Sequence, residues 1–256
     1  MAAIVGESAR WTGRLLWRAG LLAYVGPGGC SARHSHHAVQ LAVSFGAPFE
    51  LTMDDRRVVA RAVLIPSGEP HAFRIDGERI FYALVEPHGA SGAALAQCAQ
   101  ELRGVDLAEQ ISVGTEPAGD QVSLEAYADE LIGSLTPGSA CCPALSPYVV
   151  AALEYLDGAL QGRPRLEEAA HAAQISPSRL SHLFSEQVGI PFRRFVVWLR
   201  LRRAAEHAWS SETLTEAAVA AGFSDMAHVS RVCRSMFGVS PSVLLQMQPV
   251  VASWPV

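Results

Sequence analysis

The chain has 256 residues, half of them apolar and 18% charged, which excludes a disordered polymer and predicts two domains of roughly 100 to 150 residues, each with its own core. Residues 1–146 hold 10 Arg against 16 Asp plus Glu (net -6) and residues 147–256 hold 10 Arg against 9 (net +1), so only the second half suits a polyanion. Every basic residue is Arg, a bias that a GC-rich genome produces without any functional demand.

In chain order, the apolar stretch WTGRLLWRAGLLAYV at 11–25 is interrupted by Arg14 and Arg18 and is too short to span a bilayer, so it predicts an opening strand and no membrane partner. Short β-strands follow to residue 87: LLAYV, HAVQLAVSF, FELTM, VVARAVLIP, HAFRI and RIFYALV, separated by turn signals at 45–48, 53–57 and 75–79. Strands this close in sequence pair mostly antiparallel, because a parallel crossover needs a dozen or more residues. A sandwich or barrel is expected.

Two helices are predicted next, at 91–103 and 121–135, the second with Val122, Leu124, Tyr127, Leu131 and Leu135 on one stripe. They either cover the sheet or form the contact of a homodimer. TPGSACCPALSP, 136–147, lacks periodicity and reads as the linker between an N-terminal domain, 1–135, and a C-terminal one, 148–256. Its Cys141 and Cys142 are either a soft-metal chelate or plain linker residues. Counted with Cys30, Cys98 and Cys233 they make an odd number without zinc-ligand spacing, and no secretory signal precedes them, which fits a reducing cytoplasm.

The second half reads as helices near 147–160, 166–172, 177–187, 191–208, 215–220, 225–236 and 240–247, punctuated by Gly189, Gly222 and Gly238. It also repeats itself. AAHAAQIS at 169–176 matches AAVAAGFS at 217–224 at an offset of 48, and LSHLFSEQVGI at 180–190 matches VSRVCRSMFGV at 229–239 at an offset of 49. Each copy is a short Ala-rich helix, a tight turn and a longer helix, and its small residues (Ala169, Ala170, Ala173; Ala217, Ala218, Ala221) let the second helix cross the first closely. Gly222 suits a left-handed turn; Gln174 stands in its place in the first copy, where the turn is either strained or differently shaped.

With Leu180, Leu183, Phe184 and Val188 buried in one copy and Val229, Val232, Met236 and Phe237 in the other, the outer residues are Ser176, Ser178, Arg179, Ser181, His182 and Ser185, against Met226, Ala227, His228, Ser230, Arg231 and Arg234. Polar side chains at the start of such a helix suit the major groove of double-stranded DNA, where Arg grips guanine; a solvated face on a helical bundle is the alternative. The connecting helix, about 17 residues, spans roughly 26 Å and suits two reading helices on successive turns of one duplex. Its Arg193, Arg194, Arg200, Arg202 and Arg203 suit phosphates, while Phe195, Val196, Leu199 and Leu201 supply core.

GFSDMAHVSR at 222–231, followed by SMFGVSP at 235–241, resembles the ending of the AraC/XylS family's DNA-binding domain, and RLRRA at 200–204 sits where that family has its connector motif. The sequence departs from the pattern at Gln174, His182, Val229 and Cys233, which makes Arg231 the more secure base contact. The resemblance implies an α+β chain: an N-terminal cupin-like antiparallel β-barrel with two flanking helices, then an all-α domain of two helix-turn-helix modules joined by a connector helix.

The barrel is supported by two further short motifs. PSGEPH at 66–71 resembles the cupin P-x-G-x-x-H motif, and HSH at 34–36 followed by Gln40 resembles cupin H-x-H-x-x-x-E with Gln in place of Glu. Alternation puts His34, His36, Ala38, Gln40 and Ala42 on one face and His37, Val39, Leu41, Val43 and Phe45 on the other. Three readings stand for His34, His36, Gln40 and His71: a site that hydrogen-bonds a small-molecule effector, a divalent metal held by His34, His36 and His71, or histidines that serve only the fold.

The function expected is a sequence-specific transcription regulator, not an enzyme, whose grip on DNA is controlled by an effector in the N-terminal barrel. The rival is a metal-dependent cupin enzyme with a helical appendage. No four-cysteine zinc cluster, phosphate-cradling loop or Ser/His/Asp constellation adds a third.

Overall fold

The computed structural model describes residues 11–18, 20–87, 90–137, 145–160, 162–188, 190–210 and 213–250. Gly189, Cys141, Cys142 and most of the expected linker lie outside these. The predicted opening strand is a hairpin, β1 (Arg14–Arg18) and β2 (Leu21–Pro27), turned at Gly20 with φ +74. There follow β3 (Val39–Ser44), β4 (Phe49–Met53), β5 (Arg56–Ala60), β6 (Ala62–Ile65), β7 (His71–Arg74) and β8 (Arg79–Val85). Asp54 and Asp55, both at positive φ (45 and 58), make the two-residue turn between β4 and β5, the geometry that matches the twist of a hairpin.

The strands form two sheets, not a closed barrel, among the described residues: β6-β3-β8-β2-β1-β9 and β5-β4-β7. β9 (Gln248–Val250) was not expected. It follows the helical half yet pairs with β1, in the parallel sense, while every other pairing is antiparallel. The single strand predicted at 58–66 is cut at Arg61, leaving β5 in the small sheet and β6 in the large one. Asp106 holds that bend by accepting the backbone N–H groups of Arg61 and Ala62 at 3.2 and 3.1 Å.

Alternation along β3 sends Val39, Leu41 and Val43 to one face of the large sheet, where helices α1 (Ala90–Glu101) and α2 (Gln121–Leu135) cover them. The buried stripe of α2 is Leu124, Ala128, Leu131, Ile132 and Leu135; Val122, two residues before Leu124 and so on the far side of the helix, is 76% exposed. These apolar stripes are buried against the sheet. The opposite face of the sheet, with Ala38 just before β3 and Ala42 on it, meets the small sheet through Phe49, Leu51 and Phe73 in a second core.

That second core continues into the helical half: α3 (Pro147–Ala159), α4 (Leu166–Ala172), α5 (Pro177–Val188), α6 (Phe192–Trp209), α7 (Leu214–Ala220), α8 (Met226–Phe237) and α9 (Pro241–Leu244). Capping side chains set the starts of α3, α7 and α8. Ser146 accepts from Val149 N at α3, Thr213 and Glu216 form a reciprocal capping box at α7, and Asp225 accepts from His228 N at α8. Trp198 of α6 ties the halves together: its indole N–H donates to Glu86 at 3.0 Å, and its ring lies 5.8 Å from that of Trp17. No helix among the described residues is long and apolar enough to cross a membrane.

Candidate functional site

The two helix pairs begin on the same small-residue contact, since Ala169, Ala170 and Ala173 are buried on α4 and its end as Ala217, Ala218 and Ala221 are on α7 and its end. Their turns are alike bond for bond. Gln174 N donates to His171 O and Ile175 N to Ala170 O, both at 3.0 Å; Gly222 N donates to Val219 O and Phe223 N to Ala218 O, both at 2.9 Å. Gln174 therefore adopts the left-handed conformation, φ +56, that Gly222 adopts at +82. A residue with a Cβ pays roughly 1–2 kcal/mol for that conformation, so the first turn is strained and not differently shaped. Gly222 has a further reason to lack a side chain: a Cβ there would lie 3.0 Å from Arg200 Nε and 3.2 Å from Leu160 O.

On α5 the buried residues are Leu180, Phe184 and Val188, with Leu183 only partly covered. Ser178, Arg179 and His182 are exposed, and Ser181 and Ser185 half-exposed. Two of the predicted contacts are already engaged: Ser176 Oγ accepts Arg179 N–H at 3.3 Å, and the Arg179 guanidinium lies 5.7 Å from the centre of the Tyr148 ring. On α8 the buried residues are Val229, Cys233 and Met236, while Val232 and Phe237 are only partly covered. Cys233 thus fills a core position, and burial raises its thiol to about 12. Ala227, Arg231 and Arg234 are exposed; Met226, His228 and Ser230 are half-exposed.

Arg193 and Arg194 of α6 stand with His228 and Arg231 of α8 around one open groove of about 430 Å³, a juxtaposition that sequence reading missed because the residues are far apart along the chain. Two other connector arginines are occupied. Arg200 donates to Gly162 O at 2.7 Å, and Arg202 Nε lies 3.5 Å from Glu206.

In the N-terminal half, His34, His36, His71 and Gln40 are all buried and adjoin one another. Only Gln40 is on a strand of the large sheet; His34 and His71 are joined by a two-bond bridge, N to O at 2.9 Å each way. The regular alternation therefore fails before Ala38. His37 does not follow Val39 but packs on α6, its ring 4.6 Å from Trp198 and 6.2 Å from Phe195. The ligand atoms of His34, His36 and His71 lie within 4.8 Å of one another. Burial lowers all three imidazoles, His34 to about 4 and His71 to about 2, so they are neutral at ordinary pH.

His34, His36 and Gln40 edge a cavity of about 80 Å³. Trp11, Leu15, Trp17, Leu22, Tyr24, Phe73, Tyr82 and Leu84 line one side, Ala205, Trp209, Phe237, Val239, Leu244 and Met247 the other. The strand side was open to sequence reading, because Leu22, Tyr24, Tyr82 and Leu84 alternate along β2 and β8. The helical side had no such signal. Beside the cavity the histidine-bearing loop holds the end of α8, with Ala32 N donating to Gly238 O and Ser35 N to Ser235 O, both at 3.0 Å. Gly238 has φ +70, and a Cβ on it would sit 2.5 Å from Ala32 O and 2.7 Å from His34 Nδ1.

The helix-turn-helix domain family matches residues 169–247, from within α4 to just past α9. The chain carries an AraC-type DNA-binding domain. The AraC-type domain occupies the C-terminal part; whole-chain similarity comes from solved structures. ToxT from Vibrio cholerae superposes with a TM-score of 0.53 at 10% identity, covering 90% of this chain and 98% of that one. ToxT with an unsaturated fatty acid bound gives 0.52 at 13% identity, covering 91% and 97%. An AraC-type transcriptional regulator from Chromobacterium violaceum is similar at 23% identity over 39% of this chain and 89% of its own, TM-score 0.37. No curated protein matches. The two ToxT structures establish a shared two-part α+β fold, an N-terminal β-rich part and a C-terminal helical part.

Proposed function

We propose that this protein is a cytoplasmic transcription regulator that reads DNA with α5 and α8 and is controlled by a small, largely apolar effector in the cavity between its two parts. In this reading residues 1–135 sense the effector through a cupin-like pair of sheets, 136–147 link, and 148–256 bind DNA. Ser178, Arg179, Ser181, His182 and Ser185 meet one major-groove segment; Met226, Ala227, His228, Ser230, Arg231 and Arg234 meet the next. Arg193 and Arg194 add phosphate contacts beside Arg231, giving affinity without sequence information.

The observation that carries the reading is the shared cavity. Its walls come from β2 and β8 on one side and from α6, the end of α8 and α9 on the other, so an occupant touches the sensing part and the root of a reading helix at once. A ligand shifts an equilibrium only by its differential affinity for two states, and a site with walls on both parts provides one. Apolar walls with Ser31, His34, His36 and Gln40 at one edge suit an apolar body with one polar group. ToxT, of the same fold, has been solved with an unsaturated fatty acid; at about 80 Å³ the present cavity takes a smaller molecule or widens around a larger one.

Footprinting of the full chain on DNA around its own gene tests the reading, with a thermal-shift screen of small apolar acids and alcohols run alongside. Selective protection lost in Arg231→Ala, and altered by a compound that raises Tm, is expected. Protection indifferent to sequence and to every stabilising compound removes the proposal.

A further inference from the structure

We propose that the cavity between the two halves takes an uncharged, chiefly apolar molecule with hydrogen-bond acceptors facing opposite walls, one meeting Trp11 and Tyr82 and the other Trp209. The inference deepens the effector reading of this cavity and rests on it. Unpartnered polar atoms carry it. Among the side chains that line the cavity, three buried atoms have no hydrogen-bond partner: the indole Nε1 of Trp11, the indole Nε1 of Trp209 and the phenol oxygen of Tyr82. Buried polar groups in folded proteins are nearly always paired, so three orphans on one cavity call for an occupant that pairs them.

Their neighbours show the contrast. Tyr24, on the same wall, donates its hydroxyl to Pro27 O at 2.8 Å and accepts Gly13 N–H at 3.1 Å; Ser31 Oγ accepts Phe73 N–H at 3.0 Å. Those polar groups serve the fold, whereas the orphans do not. An indole N–H only donates, and burial raises the Tyr82 phenol well above its usual range, so it keeps its proton and can donate as well. The histidine edge calls for one polar group on the ligand; the orphans call for acceptors.

Their placement sets where those acceptors stand. Trp11, just ahead of β1, stacks on Tyr82 of β8 with ring centres 5.4 Å apart, which puts two donors together on the strand wall. Trp209 closes α6 on the helical wall. Charge is excluded by the rest of the lining. None of the lining residues is Arg, Asp or Glu, and burial holds the imidazoles of His34 and His36 below their usual range. A carboxylate would therefore lose its hydration and find no cation in exchange.

The test titrates the full chain by calorimetry with four compounds of one shape: para-diacetylbenzene, para-ethylacetophenone, para-diethylbenzene and terephthalate. Binding is expected to weaken by roughly tenfold with each carbonyl lost, and terephthalate should bind weakest. Tyr82→Phe removes only a hydroxyl, and Trp209→Phe removes the helical donor. Each should lower the preference for the diketone over the hydrocarbon severalfold, a ratio that a change of cavity volume alone would not move. If Trp209→Phe does not fold, the indole region of the proton NMR spectrum of the unaltered chain still reports: two indole N–H signals should move downfield with the diketone and not with the hydrocarbon. A series with no preference, as water already pairing the orphans would give, overturns the proposal. So does terephthalate binding as well as the diketone, a preference untouched in both variants, or no binding at all. Footprinting with and without the diketone separates this from the regulator reading. Selective protection that the bound diketone alters supports both; unaltered protection removes the control and leaves the ligand class; selective protection without diketone binding overturns the ligand class alone.

Discussion

The α4–α5 and α7–α8 pairs share a turn hydrogen bond for hydrogen bond and differ in what surrounds it. The first turn is closed by a strained Gln174, the second by Gly222 under the Arg200 side chain. The end of α8 is held by the histidine loop and borders the cavity, while none of α5 lines the cavity. Duplication has preserved a backbone shape and specialised its context: one copy is anchored within the helical half, and the other is joined to the sensing half.

The largest expected way to break this difference is Gly238→Ala. Its new Cβ would meet Ala32 O at 2.5 Å in a left-handed conformation, so a loss of about 3 kcal/mol in chemical denaturation is expected. Acid attacks the same joint. The imidazoles of His34 and His71 titrate lower in the fold than in the unfolded chain, so the native state binds fewer protons. Stability is then full above about pH 6.5 and falls as pH drops through 6.5 towards 4, by roughly 1.4 kcal/mol per pH unit for each imidazole kept neutral. Denaturant midpoints of the chain between pH 7.5 and 5 check this; a flat profile contradicts it.

Arg231→Ala should weaken specific DNA binding by about 1–3 kcal/mol in gel shift, and more than Arg179→Ala, whose side chain rests on Tyr148. Equal losses would make the two copies equivalent readers. At the turns, Gln174→Gly should raise stability by about 1 kcal/mol and Gly222→Ala lower it by at least as much, both read from Tm. The smallest effect is at the caps: Asp225→Ala, removing a 2.7 Å bond to His228 N, should cost about 1 kcal/mol, and Ser176→Ala, with its 3.3 Å bond, less.

Much of this was legible beforehand because its causes are local. Helix positions followed from apolar periodicity and from the punctuation at Gly222 and Gly238, the repeat from its alanines, and the outer faces of α5 and α8 from helical periodicity. Misreadings arose where a distant group intervened. Asp106 bends the chain at Arg61 from 45 residues away, His37 turns to meet Trp198, and Cys233 proves to be a core residue although it looked like a departure from a motif.

The sequence by itself therefore determined most of the elements, the duplicated helix pairs and the residues they present outward, since these depend on spacing and on side chains within a few positions of one another. Only the tertiary structure decided how the halves join: β9 returning to β1, Arg193 and Arg194 meeting Arg231, three histidines gathered at one point, and a cavity with walls from both halves. Those arrangements are made by contacts between residues far apart along the chain, and periodicity carries no information about which distant faces will meet.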